Sequence, residues 1–157
     1  MREQEQLPII GWRERLALPD LGIAEVKAKI DTGARSSALH AFDVETFAHE
    51  GKPMVRFKVH PYQRDTRRTV IAEAELLDQR LVRNSGGQTQ LRPVIQTVVE
   101  LDGYTFPIEL TLTNRDMMGF RMLLGRQAVR KRFLVDAGRS FLHSSTRNHK
   151  LNKKSKP

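Results

Sequence analysis

Apolar and polar residues alternate through Met54–His60: Val55, Phe57 and Val59 fall on one side and Arg56, Lys58 and His60 on the other. That is the period of a half-buried strand. Ile23–Ile30 alternates less evenly, with Ile23, Val26, Ala28 and Ile30 set against Glu25, Lys27 and Lys29, and an irregularity is expected near Ala24. Ile9–Trp12 reads as an edge strand, and Leu16-Ala17-Leu18 runs into the turn Pro19-Asp20-Leu21-Gly22. Ser37–Ala41 resumes a strand that Asp31-Thr32-Gly33-Ala34 interrupts. Pro61–Arg68 is a polar loop, and Thr69–Glu75 and Gln79–Arg83 are two further strands. Asn84-Ser85-Gly86-Gly87 is a hairpin tip, since consecutive glycines supply the positive φ such turns need. Gln90–Leu101 and Tyr104–Thr113 are long strands joined by Asp102-Gly103. Only Arg126–Lys131 reads as helical. Phe133–Val135 and Ser140–His143 close the domain around Asp136-Ala137-Gly138. The expected fold is all-β, a small barrel or sandwich.

The chain's 157 residues suit one domain with a core of its own. The net charge of +9 is concentrated at the end: Ser144–Pro157 carries Arg147, Lys150, Lys153, Lys154 and Lys156 with no acid, which leaves +4 for the rest. The expected division is a β domain over 1–143 and a basic, solubilising tail over 144–157, and nucleic acid is not an expected partner. Cysteine is absent, which excludes thiolate chemistry and fits a reducing compartment. Met1–Gln6 is polar, and no apolar run approaches a membrane span, so a soluble, cytoplasmic protein is expected with no membrane partner. The histidines His40, His49, His60, His143 and His149 lack His-Glu-x-x-His spacing, and no phosphate-binding Gly-x-x-x-x-Gly-Lys loop occurs. Neither a metal nor another cofactor is expected.

The candidate chemistry is Asp31-Thr32-Gly33 after the apolar strand ending at Ile30. A carboxylate on such a tight loop can receive the Gly33 N–H. Two such groups sharing one proton can activate water, the ionised one as base and the protonated one as acid. A weaker echo of the segment occurs at Leu134-Val135-Asp136-Ala137-Gly138-Arg139-Ser140.

Three ordered segments carry a resemblance to the retropepsin-like aspartic proteases. They are Ile30-Asp31-Thr32-Gly33-Ala34, the Gly-tipped hairpin Val82–Gln88, and Met122-Leu123-Leu124-Gly125-Arg126-Gln127. More closely, Ala28–Ala41 with Arg121–Arg126 and Phe133–Asp136 resembles a bacterial family labelled ATP-dependent zinc proteases, associated with ATP-grasp ligases that modify ribosomal proteins. The resemblance implies a small closed barrel with one short C-terminal helix and aspartic peptidase activity on peptides or proteins. It implies that Asp31 is the catalytic carboxylate, Thr32 the grip between loops, and Gly33 and Ala34 the backbone shaping the site. Asn84, Ser85, Gly86 and Gly87 would form a lid over substrate, Gly125 would pack beneath the loop, and Arg126 would donate a structural ion pair.

The sequence departs from the retroviral pattern after Ala34, where Arg35 replaces an acid. Arg126 then needs another partner, and the substrate rim, with Arg35, Arg64, Arg67, Arg68, Arg83 and Arg92 as candidates, favours anionic peptides. The second carboxylate has three possible sources: a homodimer mate, as in retropepsins; Asp136; or none, in an inactive peptide-binding module. The family's label keeps a metal-dependent peptidase as a further alternative, with His40 the histidine expected nearest Asp31.

Overall fold

The structure is a computed structural model that describes residues 6–62, 67–83, 86–115, 117 and 119–142. Its strands are β1 (Ile9–Gly11), β2 (Arg13–Leu18), β3 (Ile23–Asp31), β4 (Ser37–His40), β5 (Phe42–His49), β6 (Lys52–Val59), β7 (Val70–Arg83), β8 (Thr89–Leu101), β9 (Tyr104–Thr113), β10 (Met122–Gly125) and β11 (Leu134–Asp136). A short helix, α1 (Arg126–Val129), follows β10 directly.

Six strands in the order β2-β3-β10-β4-β9-β8 close into a barrel, because Ala17 of β2 pairs with Glu100 of β8. Alternation decides which side chains fill it. Leu16, Ala28, Leu39, Leu110, Met122 and Leu124 point inward and are buried, while the residues between them face out. The sheet continues past β8 through β7 and β6 to β5, as an extension of the barrel wall. The expected closed all-β barrel with one short C-terminal helix is therefore what forms.

Several local expectations are corrected. The segments expected as two strands at Thr69–Glu75 and Gln79–Arg83 are one strand, β7, with a register shift at Leu77. Its first half pairs with β6 and its second with β8, so the irregularity at Leu76-Leu77-Asp78 marks a change of partner. Strand β5 was not foreseen, because almost every residue in it is exposed and no alternation marks it. Its hairpin to β6 turns on Glu50-Gly51 with φ of 51° and 79°, the conformation that Asp102-Gly103 adopts as expected, with φ of 48° and 83°. The helix is two residues shorter than the expected Arg126–Lys131 and ends at Val129. Ser140–Leu142 forms no strand; the stretch is strapped down when Phe141 N–H donates to the Arg13 carbonyl (2.9 Å). His143, the tail over 144–157, and the hairpin-tip residues Asn84 and Ser85 lie outside the described residues.

Candidate active site

Strands β3 and β10 run parallel with Asp31 level with Gly125, so the turn that breaks β3 is built against the start of α1. Gly33 N–H donates to Asp31 Oδ1 at 3.0 Å, and Ala34 N–H donates to the Asp31 carbonyl at 3.2 Å. The next residues are held by helix-start amides that have no partner within the helix. Arg126 N–H donates to the Ala34 carbonyl (2.7 Å) and Gln127 N–H to the Arg35 carbonyl (3.0 Å). Gly125 N–H donates to Ser37 Oγ (3.0 Å). A Cβ on Gly125 would lie 2.5 Å from the Ser36 carbonyl oxygen, so only glycine lets the loop lie this close. Asp31, Thr32, Gly33, Ala34 and Arg35 are thus gathered into one fixed loop, with Gly125 packed against it.

Arg126 differs from its expected role. Its guanidinium donates to the Thr32 carbonyl at 3.1 Å, so it supports the loop by a main-chain bond and, among the described residues, makes no ion pair. The Thr32 side chain is exposed in the single chain. Gly86 and Gly87 are exposed at the hairpin end, Gly87 with φ of 84°. Arg35 and Ser36 of the Asp31 loop line a cleft of about 800 Å³ together with Arg80, Glu109, Gln127 and Arg132. Asp31 does not line that cleft; it sits upstream along the same loop.

Charge on the outward surface follows from register, since residues opposite one another on neighbouring strands project to the same side. The outward row next to Asp31 reads Arg13, Lys29, Leu123, Ala38, Thr111 and Val94. One step further come the facing pair Arg15 and Lys27, then Arg121, whose carbonyl accepts the His40 N–H (2.8 Å), and Thr113 opposite His40. An apolar floor beside Asp31 is therefore bordered by Arg13, seated over the Trp12 and Phe141 rings, by Lys27 over Phe120, and by Lys29 and Arg121, with Arg15 partly neutralised by Glu25 at 3.7 Å. The sequence reading had nominated other cations. Arg68 stacks on Tyr62 instead (5.1 Å), far along the extension, and Arg64 lies outside the described residues. Arg92 does lie on this outward side, opposite Arg80. It is buried, and burial followed by the nearby Arg115 pushes its pKa down from the usual guanidinium value. Arg80 moves the other way, held charged by Glu109 (2.8 Å) and Asp78 (3.2 Å).

His40 is not beside Asp31. Gly125 is level with Asp31, and Arg121, which meets His40, lies four residues earlier on the same chain segment, about 13 Å away at strand rise. Among the described residues, no three His, Asp or Glu side chains gather closely enough to hold a metal ion. Sequence reasoning also missed Glu14. This fully buried carboxylate accepts N–H bonds from Gly11 (2.7 Å) and Leu142 (2.9 Å) and so ties both ends of the domain together. Its only signal was an acid at an inward position of β2.

A closed barrel carrying an Asp-Thr-Gly loop braced by a Gly-Arg helix start defines a retropepsin-like fold. The chain belongs to the RimB-like family of retropepsin-like aspartic endopeptidases, whose profile matches residues 9–146. A protein named "Probable alpha-L-glutamate ligase" from Shewanella halifaxensis (strain HAW-EB4) is 44% identical over 133 residues, which are 85% of this chain and 29% of that protein. One of the same name from Parasynechococcus marenigrum (strain WH8102) is 47% identical over 128 residues, 82% of this chain and 28% of that one. The chain thus spans under a third of the curated relatives it matches. A crystal structure of a Legionella pneumophila protein with unknown function superposes with a TM-score of 0.71 at 29% identity, covering 87% of this chain and 98% of that one. No helix among the described residues is long and apolar enough to cross a membrane.

Proposed function

We propose that this chain is an aspartic-type peptidase in which Asp31 activates water for hydrolysis of anionic peptides, and that it works as a homodimer. The observation that carries this reading is the Asp31 loop. Its carboxylate is fixed by the Gly33 N–H, the loop is braced by Gly125, Arg126 and Gln127, and it opens onto a basic outward surface. In a two-fold dimer the Asp31 groups of both copies share one proton. The ionised carboxylate takes a proton from water as the oxygen attacks the peptide carbonyl, and the protonated one polarises that carbonyl and then returns its proton to the leaving amine. Thr32, exposed in one chain, becomes a contact between the two loops. Arg13, Lys29, Lys27 and Arg121 favour acidic side chains on either side of the cleaved bond. The glutamate ligase name carried by relatives three times as long points to a peptide bearing added glutamates, and to a functional link with a ligase of that kind.

A second reading, a peptide-binding module with a basic cleft, is favoured by one feature: a cleft of about 800 Å³ adjoins Arg35 and not Asp31. Asp31→Asn separates the two. Hydrolysis of a glutamate-rich peptide by the wild type, lost in Asp31→Asn with peptide binding retained, supports the peptidase. Equal binding without hydrolysis in both proteins supports the module and sinks the peptidase.

A further inference from the structure

The Asp31 turn has a structural twin in the same chain. Strand β11 ends at Asp136, and Gly138 N–H donates to Asp136 Oδ1 at 2.9 Å, as Gly33 N–H does to Asp31 Oδ1 at 3.0 Å. Each Asp ends a strand paired in parallel with a neighbour, and each stands level with a glycine: Asp31 with Gly125, Asp136 with Gly11. Both glycines are obligatory for the same reason. A Cβ on Gly125 meets the Ser36 carbonyl and one on Gly11 meets the Arg139 carbonyl, the chain just beyond each Asp turn. The two turns are joined through one residue: Trp12 N–H donates to the Arg139 carbonyl (2.8 Å), and the Trp12 carbonyl accepts from Ile30 N–H (2.8 Å). Asp136 is therefore held as firmly as Asp31, at the same end of the barrel, with its side chain 37% exposed.

The two sides of the Asp31 loop each offer one half of an ion pair. On the β10 side the loop continues into Arg35, exposed and with no acidic partner among the described residues. On the Trp12 side stands Asp136, whose one ion-pair neighbour among the described residues, Arg139, is 3.9 Å away, at the limit of a contact. A two-fold axis that brings one Asp31 to its copy places whatever lies on one side of the loop opposite whatever lies on the other side in the partner. We infer that Arg35 of each copy pairs with Asp136 of a second copy, so that two symmetric ion pairs flank the shared catalytic centre and set its register. The inference rests on the dimeric peptidase reading above and adds the surface by which the copies recognise each other. The twin turn supplies a fixed acid, and the Asp31 loop supplies the exposed cation that matches it.

The test is a double-mutant cycle on dimer affinity, by sedimentation of the full chain, with Arg35→Gln, Asp136→Asn and the double variant. Both substitutions remove charge only. The amide oxygen introduced by Asp136→Asn can still accept the Gly138 N–H, and the Gln127 N–H bond goes to the main chain at position 35. Each single variant is expected to weaken the dimer about fivefold, and the double variant by about the same factor as one single. Effects that multiply in the double variant, or a dimer indifferent to both changes, overturn the pair while leaving the dimeric peptidase standing. Loss of hydrolysis in Asp136→Asn with dimer affinity unchanged also overturns it, and moves Asp136 into the catalytic pair. A wild type that hydrolyses peptide as a strict monomer overturns both the pair and the dimer.

Discussion

At the residue scale, close packing and buried polar bonds make single atoms decisive around Asp31. Gly125→Ala would set a methyl carbon 2.5 Å from the Ser36 carbonyl oxygen, where only backbone can give way. The expected result is a loss of about 1–3 kcal/mol of stability, read as a lowered thermal midpoint, with a larger loss of peptide hydrolysis because the displaced loop is the one that holds Asp31. Unchanged turnover in Gly125→Ala would separate the loop from the chemistry. Glu14 tests the other end of the domain. Its Oε2 accepts both the Gly11 and Leu142 amides, so Glu14→Gln, which retains an acceptor oxygen, is expected to fold nearly as well as wild type. Glu14→Ala leaves two N–H groups unpaired and is expected to cost about 2–5 kcal/mol. Thermal unfolding of the two variants side by side checks it: equal midpoints would mean that water satisfies those amides.

At the element scale, the β7–β8 hairpin is where sequence and structure diverge most usefully. Leu81 and Leu91 face each other across it at 73% and 54% exposure, so an apolar cross-strand pair is presented to solvent. Both lie one position from the Arg80–Arg92 pair that faces the Asp31 side, so this apolar pair projects from the other face of the hairpin. Replacing both with Ser is expected to leave the thermal midpoint and KM nearly unchanged, since neither is buried and neither faces the Asp31 surface. A rise in KM of about tenfold would show that the hairpin turns this face over bound peptide. The hairpin and its glycines were legible in the sequence because Gly86-Gly87 interrupts a strand-like pattern. The same patterning marks β3, β6, β8 and β9, whose inward positions are apolar apart from Thr97 of β8. It failed for β5, where both faces meet solvent, and it split β7 at the residue that changes partners. The Asp31 loop was legible as a motif. The bracing of that loop by helix-start amides was not, because main-chain donors leave no mark on side-chain identity.

At the scale of the whole molecule, where the charges stand says more than the net charge of +9. Arg13 on β2 and Lys27 and Lys29 on β3 are near in sequence, but Arg121, just before β10, joins them only because β10 pairs beside β3. No scan along the chain could have placed Arg121 with the other three. A band of this kind acts over the screening distance, which shrinks from about 10 Å at 0.1 M salt to about 3 Å at 1 M. For a glutamate-rich peptide, KM is therefore expected to rise about tenfold over that range, against little change for a matched glutamine-rich peptide. Lys27→Gln combined with Arg121→Gln should flatten that rise without lowering kcat at saturating substrate, because both lie a row or more away from the reacting carboxylate. Initial rates of both peptides at a series of salt concentrations decide the matter. Parallel responses of the two peptides would show that the band is only a solvated face and that substrate charge is read elsewhere, with the Arg35 cleft the next place to look.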